Sequence, residues 1–253
     1  MSTILKIKNL SFAYDKSKLV LDDVSFAVQQ GTITALLGKN GCGKSTLLDC
    51  ILGLNEYKNG NILLEWKEIK DYSPKDLSKK VAYISQNTVI NIDYSVREFV
   101  LFGRTPYIKF GNTPSKDDYS LIEKFAEECG ISHLLDKDIN KISGGEKQLA
   151  FLCRALVQNP DLFIFDEPTS SLDFGNQYRL FDMMKKLQSE GKTILFTTHN
   201  PNQVLELNCN VVLLNDSHII ASGLADEVLT EAVMQDIYEM SFKKSQNGFN
   251  YYN

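Results

Sequence analysis

"GKNGCGKST", Gly38 to Thr46, decides how the rest of this chain is read. It fits the pattern of a glycine, four residues, and then Gly-Lys-Ser/Thr. Before it stands the apolar run "TITALL" (32–37), read as a buried strand. After it comes "LLDCILGL" (47–54), with helical spacing that ends near Asn55. Strand, glycine loop and helix in that order make a phosphate cradle. The glycines let backbone N–H groups turn inward around phosphate oxygens. The helix N-terminus adds partial positive charge. Lys44 can reach β- and γ-phosphates, and Ser45 can ligate Mg²⁺. The competing reading, a merely structural glycine turn, does not account for the strand and helix on either side.

Outward from this loop the chain alternates strands and helices. "ILKIKNL" (4–10) and "LVLDDVSFAV" (19–28) alternate as strands do, "GNILLEW" (60–66) is a further strand, and "SPKDLSKK" (73–80) reads as a short helix with Pro74 in its first turn. "VAYIS" (81–85) is a strand followed by Gln86. From Asn87 to Pro160 helical patterns dominate, interrupted by the loop "RTPYIKFGNTP" (104–114). Strands resume in "DLFIFDE" (161–167) and "KTILFTTH" (192–199), with a helix over 174–191 between them. "VVLLND", "HIIASG", a helix near "TEAVMQDIYEM" and a hairpin signalled by Asn247-Gly248 complete the chain. The expected fold is α/β, with a core over 1–86 and 160–215, a helical insert over 87–159, and a strand, helix and hairpin extension over 216–253.

"DLFIFDE" supplies the second half of a phosphate-transfer site. Leu162–Phe165 is continuously apolar, as a central parallel strand requires. Asp166 and Glu167 stand at its C-terminal end, the edge of such sheets where ligands bind. Asp166 would hold Mg²⁺ through its shell, and Glu167 would polarise a water for attack on the γ-phosphorus. His199 ends another strand on the same edge and could touch the γ-phosphate or the attacking water.

"KISGGEKQLAFLCRALVQNP" (141–160) holds a formal capping box, Ser143-x-x-Glu146. Leu149, Leu152, Cys153, Leu156 and Val157 then mark one apolar helix face, stopped by Asn159-Pro160. A cap does not explain Gly144 and Gly145, which disfavour the helix by up to about 1 kcal/mol each relative to alanine. A bare helix N-terminus with a serine hydroxyl and two glycine N–H groups suits a second phosphate. The chain already has one phosphate loop, so the simplest reading is that this second site serves a nucleotide bound to another copy.

The remaining composition narrows the class. The chain has 253 residues, a net charge of −5 and no polybasic stretch, so the charge balance implies no nucleic-acid partner. Five scattered cysteines read as free thiols of a reducing compartment, without a disulfide frame or zinc site. The start "MSTILKIKNL" lacks signal-peptide character, and no apolar run approaches the ~18–20 residues that span a bilayer. Any action at a membrane then needs a partner that crosses it.

Taken together these motifs resemble the ATP-binding-cassette ATPases over essentially the whole chain. "GKNGCGKST" is similar to the family's Walker A loop, "LFIFDE" to Walker B with its catalytic glutamate, and "ISGGEKQ" to the signature usually written LSGGQ. Gln86 matches the Q-loop, "SSLD" (170–173) the D-loop, His199 the switch histidine and Tyr14 the aromatic that stacks on adenine. The resemblance implies a P-loop NTPase core of RecA type, an antiparallel β subdomain and an inserted helical subdomain. It also implies a head-to-tail dimer with two shared ATP molecules. Tyr14, Gly38, Lys39, Asn40, Gly41, Cys42, Gly43, Lys44, Ser45 and Thr46 would bind ATP. Ser45, Gln86 and Asp166 would hold Mg²⁺, while Glu167 and His199 would be catalytic. Ser143, Gly144 and Gly145 would grip the partner's γ-phosphate, with Glu146 among the signature and dimer contacts and Asp173 contacting the partner's site.

Three positions depart from the family pattern. Glu146 replaces a glutamine, Lys39 stands where proline or arginine is common, and Cys42 replaces a serine. A thiol beside a helix N-terminus is expected to have a lowered pKa. Alkylation of Cys42 would then block hydrolysis, with ATP protecting.

"REFVLFGRTPYIKF", the segment up to "ISGGEKQ" and "TTHNPNQV" resemble more narrowly the importer ATPases for iron–siderophore, haem, cobalamin and, in some members, molybdate. That implies two permease subunits, two copies of this chain at the cytoplasmic face of the membrane, and an extracytoplasmic binding protein. A permease coupling helix would dock in the groove after Gln86, with Tyr107 a candidate contact. The alternatives are a soluble ATPase of the same family, such as an iron–sulphur cluster assembly subunit, the ATPase subunit of an exporter, and a non-catalytic nucleotide-binding scaffold. Glu167 and His199 argue against the last.

Overall fold

The structure, a computed structural model, describes residues 2–15, 18–86, 93–109, 111–170, 172–245 and 248–252. In chain order the elements are β1 (Thr3–Phe12), β2 (Leu21–Gln29), β3 (Ile33–Leu37), α1 (Lys44–Ile51), β4 (Asn59–Leu64), β5 (Lys67–Glu68), α2 (Pro74–Lys80), β6 (Val81–Ile84), α3 (Val96–Leu101), α4 (Lys116–Glu128), α5 (Gly144–Gln158), β7 (Leu162–Phe165), α6 (Phe174–Ser189), β8 (Thr193–Thr198), α7 (Pro201–Leu207), β9 (Asn210–Asn215), β10 (His218–Leu224), α8 (Ala225–Val228), α9 (Glu231–Tyr238), β11 (Ser241–Ser245) and β12 (Gly248–Tyr252). They fall into two compact units, Met1–Tyr72 with Met183–Asn253, and Ser73–Asp182.

In the first unit β3 lies between β8 and β9 and runs parallel to both, while β10 folds back antiparallel on β9. Every residue of β3 and β8 is buried, so their apolar runs are covered on both faces. The β9–β10 turn places Asp216 and Ser217 at φ 44° and 73°, the left-handed pair that a tight hairpin demands. A second, antiparallel sheet has the order β2-β1-β4-β5, with Ile7 facing Phe26 on one side and Ile62 on the other. Burial in β2 alternates over much of its length, so that sheet presents one face to a core. At the chain's end β11 and β12 pair antiparallel, with Ser245 opposite Gly248, as the hairpin signal anticipated. Asn247, half of that signal, lies outside the described residues.

In the second unit β6 and β7 run parallel, Val81 facing Leu162 and Ile84 facing Phe165. Three helices here start on complete capping boxes, Ser95/Glu98 for α3, Ser115/Asp118 for α4 and Ser143/Glu146 for α5. The apolar face of α5 packs against α3 and α4. Asn159 ends α5 in the left-handed conformation at φ 51°, and Pro160 follows. Arg104 ties the helices together: its Nε donates to Asp118 Oδ1 at 2.7 Å and its NH1 to the carbonyl of Val157 at 2.8 Å.

The helix after the phosphate loop is shorter than its spacing suggests, ending at Ile51 with Leu52 as its cap. β5, α7 and α8 were not anticipated. At two to seven residues they are too short to carry a period.

Candidate functional site

Each unit carries part of the predicted site. In the first unit the chain leaves β3 directly into Gly38. A Cβ there would stand 2.2 Å from the carbonyl oxygen of Leu214 and 2.7 Å from Cys42 Sγ, so no larger residue fits. Gly41 and Gly43 turn the loop at φ 81° and 109°, and Gly43 caps α1. Lys39 is half-buried, and Asn40 is exposed at the tip. Lys44 is buried; its Nζ donates to the carbonyls of Gly38 at 2.9 Å and Lys39 at 3.1 Å. The ammonium is thereby held inside the curl of its own loop. Ser45 is exposed in the first turn of α1.

Thr46 and Tyr14 meet through their hydroxyls at 3.2 Å. The Tyr14 ring stands edge-on to Phe12 at 5.0 Å and is 66% exposed, which leaves a broad face open to a stacking partner. A cavity of about 410 Å³ adjoins it, lined by residues that include Phe12, Asp15, Leu19, Glu56 and Lys58.

The expectation of a reactive Cys42 is overturned. Its side chain is buried, and loss of solvent pushes the thiol pKa up. The nearby Lys44 charge and backbone N–H groups pull it down, but by less. Position at a helix N-terminus favours the thiolate only where water or a fixed charge can complete its solvation.

His199 follows β8 with its side chain at the surface. Its carbonyl oxygen accepts a hydrogen bond from the Tyr238 hydroxyl at 2.8 Å. Tyr238 was not anticipated as part of this neighbourhood. It stands 39 residues away in sequence, and no local pattern points to it.

In the second unit β7 delivers Asp166 and Glu167 as predicted. Asp166 is buried; its N–H donates to the Ile84 carbonyl at 2.9 Å, and its Oδ2 accepts from the Tyr83 hydroxyl at 3.3 Å. Glu167 has φ 44°, a left-handed conformation that a non-glycine residue adopts only when its surroundings impose it. Its Oε2 accepts from Gln86 Nε2 at 3.4 Å. Gln86 therefore lies beside the glutamate, a proximity that sequence could suggest only through the family pattern. The groove expected after Gln86 begins at residues 87–92, outside the described residues.

Ser143 and Glu146 close their capping box: the Ser143 N–H donates to Glu146 Oε2 at 2.7 Å, and the Glu146 N–H donates to Ser143 Oγ at 3.3 Å. That backbone N–H, with the Ser143 hydroxyl, holds the Glu146 carboxyl below its ordinary pKa, so it is charged at neutral pH. Among the described residues outside the helix's own backbone, nothing lies within 4 Å of a Cβ built on Gly144, and Asn176 Nδ2 stands 3.9 Å from one built on Gly145. Neither glycine has a positive φ. Asp173 is exposed and caps α6, accepting from the Asn176 N–H at 2.8 Å. Its neighbour Ser171 lies outside the described residues.

A glycine-rich loop opening a helix on a buried lysine, and an apolar parallel strand ending in Asp-Glu, are the working parts of an α/β P-loop nucleoside triphosphatase. The protein family described as "ABC transporter" matches residues 21–170, and the chain belongs to that family. It is 37% identical over 238 residues to an uncharacterized ABC transporter ATP-binding protein of Haemophilus influenzae, covering 94% of this chain and 90% of that one. It is 34% identical over 238 residues to a Helicobacter pylori protein named "Probable iron chelatin transport ATP-binding protein", covering 93% of each. Among solved structures it resembles a metal-chelate type ABC transporter in an inward-facing conformation. There the TM-score is 0.83 and the identity 30%, with 99% of this chain and 96% of that chain covered. The chain is thus an ATP-binding and ATP-hydrolysing protein. Among the described residues no helix is long and apolar enough to cross a membrane.

Proposed function

We propose that this chain is the ATP-hydrolysing subunit of an importer for a metal chelate of iron–siderophore, haem or cobalamin type, with molybdate as the alternative cargo. It would sit at the cytoplasmic face of the membrane against a separate permease, served indirectly by an extracytoplasmic binding protein. The iron-chelatin relative and the metal-chelate transporter structure support the cargo class. In the second unit a groove of about 750 Å³, lined by residues that include Pro74, Phe102, Pro106, Ile108, Arg154 and Gln158, suits a short helix of that permease. Tyr107 flanks the groove but is engaged within its own unit, its hydroxyl donating to the Gln158 carbonyl at 2.9 Å.

On this reading Lys44 and the N–H groups of residues 38–46 bind the phosphates of ATP, with Tyr14 against the adenine. Ser45, Asp166 and Gln86 offer oxygen donors, a set that fits a hard cation such as Mg²⁺. That ion would supply charge neutralisation at the phosphates. Glu167 accepts the proton of the attacking water, held in place by the Gln86 amide. His199 contacts the γ-phosphate side of the site. The segment 87–159 would form the helical signature subdomain, and 216–253 the C-terminal strand, helix and hairpin extension.

The reading of a shared site rests above all on Gly144 and Gly145. Their backbone conformation does not require glycine, and among the described residues nothing lies closer than ordinary van der Waals contact to where a Cβ would stand. What needs that space is a phosphate brought by a second copy, with Ser143, Glu146 and Asp173 around it. Sedimentation of the full chain with Glu167→Gln under saturating Mg-ATP tests this. A nucleotide-dependent dimer is expected, and a monomer at every ATP concentration would reject it.

A further inference from the structure

Two consecutive residues at the end of α9 reach two different nucleotide-handling segments of the first unit. The Tyr238 hydroxyl donates to the carbonyl of His199 at 2.8 Å. The Glu239 carboxylate pairs with Lys39 Nζ of the phosphate loop at 3.1 Å. Glu239 closes α9 in the left-handed conformation at φ 55°, which turns the chain sharply into β11. The Tyr238 ring is held edge-on by Phe242 of β11 at 5.7 Å, and burial pushes its phenol pKa up to about 12. The hydroxyl is therefore protonated and able to donate throughout the physiological range.

The consequence for His199 is local. The residue follows a strand whose six residues are all buried, yet its own side chain is at the surface. Beyond it, Asn200 opens α7, its side chain accepting from the Asn202 N–H at 3.0 Å. The 198–200 segment is thus a strand-to-helix turn, and its 199–200 peptide is held at both ends: the Asn200 N–H donates to Thr198 Oγ1 at 3.0 Å, and the His199 carbonyl accepts from Tyr238. Rotation there re-aims the imidazole. The hydrogen bond from a half-buried, ring-packed phenol limits that rotation from the carbonyl side.

We infer that Tyr238 is a positioning residue for ATP hydrolysis: it fixes the His199 peptide, and hence the imidazole, from the C-terminal extension. The Lys39–Glu239 pair is the weaker arm, exposed and screened. This inference rests on the proposed role of His199 at the γ-phosphate.

The test uses the full chain and compares wild type, Tyr238→Phe, His199→Ala and the double variant. Mg-ATP turnover and ATP affinity are measured for each, the slowest by release of radiolabelled phosphate over hours. Tyr238→Phe keeps the ring contact with Phe242 and removes the donor. Its expected kcat is about 3- to 10-fold lower, the effect of losing one hydrogen bond, with KM for ATP within about twofold. In the His199→Ala background the same change is expected to cost nothing further, because no imidazole remains to be aimed. An equal loss in both backgrounds would mark Tyr238 as a general structural residue and overturn the inference, as would an unchanged kcat in the single variant. If His199→Ala itself turns over normally, the role given to His199 fails, and this inference fails with it. If His199→Ala is inactive while Tyr238→Phe is normal, the inference alone fails.

Discussion

Gln86 Nε2 lies 3.4 Å from Oε2 of Glu167, and Glu167 holds a left-handed backbone at φ 44°. An amide donor thus faces the carboxylate proposed to take a proton, on a peptide whose conformation is imposed by its surroundings. Glu167→Gln keeps the backbone demand and the side-chain length but removes the basic oxygen. Hydrolysis is expected to fall about 10²- to 10⁴-fold, with ATP affinity retained. Phosphate release and fluorescent-nucleotide titration measured side by side would check it; equal loss of both would move Glu167 from catalysis to binding.

Gly144 and Gly145 invite a paired measurement. Alanine meets no described neighbour at Gly144 and only ordinary contact with Asn176 at Gly145, at a helical φ in both, so the isolated chain should be stabilised by up to about 1 kcal/mol per site. Hydrolysis should nevertheless drop at least about tenfold if a phosphate approaches that backbone. Thermal melts and ATPase rates should therefore move in opposite directions. Ser143→Arg is expected to leave nucleotide affinity of the monomer nearly unchanged while hydrolysis collapses; normal turnover would remove the helix tip from the site.

Cys42 is predicted to be a slow thiol. Burial outweighs the pull of Lys44 and keeps it protonated at neutral pH. Maleimide labelling of the native chain at pH 7 should be slower than that of the unfolded chain and should accelerate as pH rises. Cys42→Ser should leave turnover within about threefold, since the thiol contributes no charge to the loop. Rapid labelling at pH 7 would show that solvent reaches the thiol in the native chain.

Arg104 and Asp118 bear on the acid stability of the second unit. Burial pushes the Asp118 carboxyl up, but hydrogen bonds from Arg104 and Ser115 outweigh it and hold the pKa below the ordinary value. A carboxyl depressed on folding stabilises above its unfolded pKa of about 4, and that contribution disappears as pH falls through the folded value. Asp118→Asn should therefore destabilise at pH 7 and differ little from wild type near pH 2. Arg104→Ala leaves Asp118 short of its cation and should lower stability by about 2–3 kcal/mol at pH 7. Urea melts across that range would measure both.

Glu146 stays anionic at the tip of α5, held by the Ser143 N–H. Glu146→Gln preserves the cap and removes a charge from a surface proposed to meet phosphate. ATP-dependent dimerisation should tighten by about 2- to 5-fold, an effect that shrinks with added salt. Unchanged or weaker association would place the carboxylate outside the reach of the second nucleotide.

The residues proposed to carry chemistry were legible as candidates because their patterns are local. A phosphate loop is nine consecutive residues, and the glycines at 38, 41 and 43 are demanded by close approach or positive φ within a few positions. The Asp-Glu pair ends a strand whose four residues are all apolar, and the cap of α5 is a four-residue pattern. Periodicity gave every helix long enough to show a face, and failed on β5, α7 and α8.

Tertiary structure decided what depends on neighbours remote in sequence. Cys42 looks reactive from its place before a helix, and it is burial in the folded chain that makes it a weaker acid. Tyr83 on Asp166 and Tyr238 on His199 are separated by 83 and 39 positions and leave no mark on any local pattern. Charge and hydrogen-bond type are properties of a residue, whereas solvation and aim belong to its surroundings, and those exist only once the chain has folded.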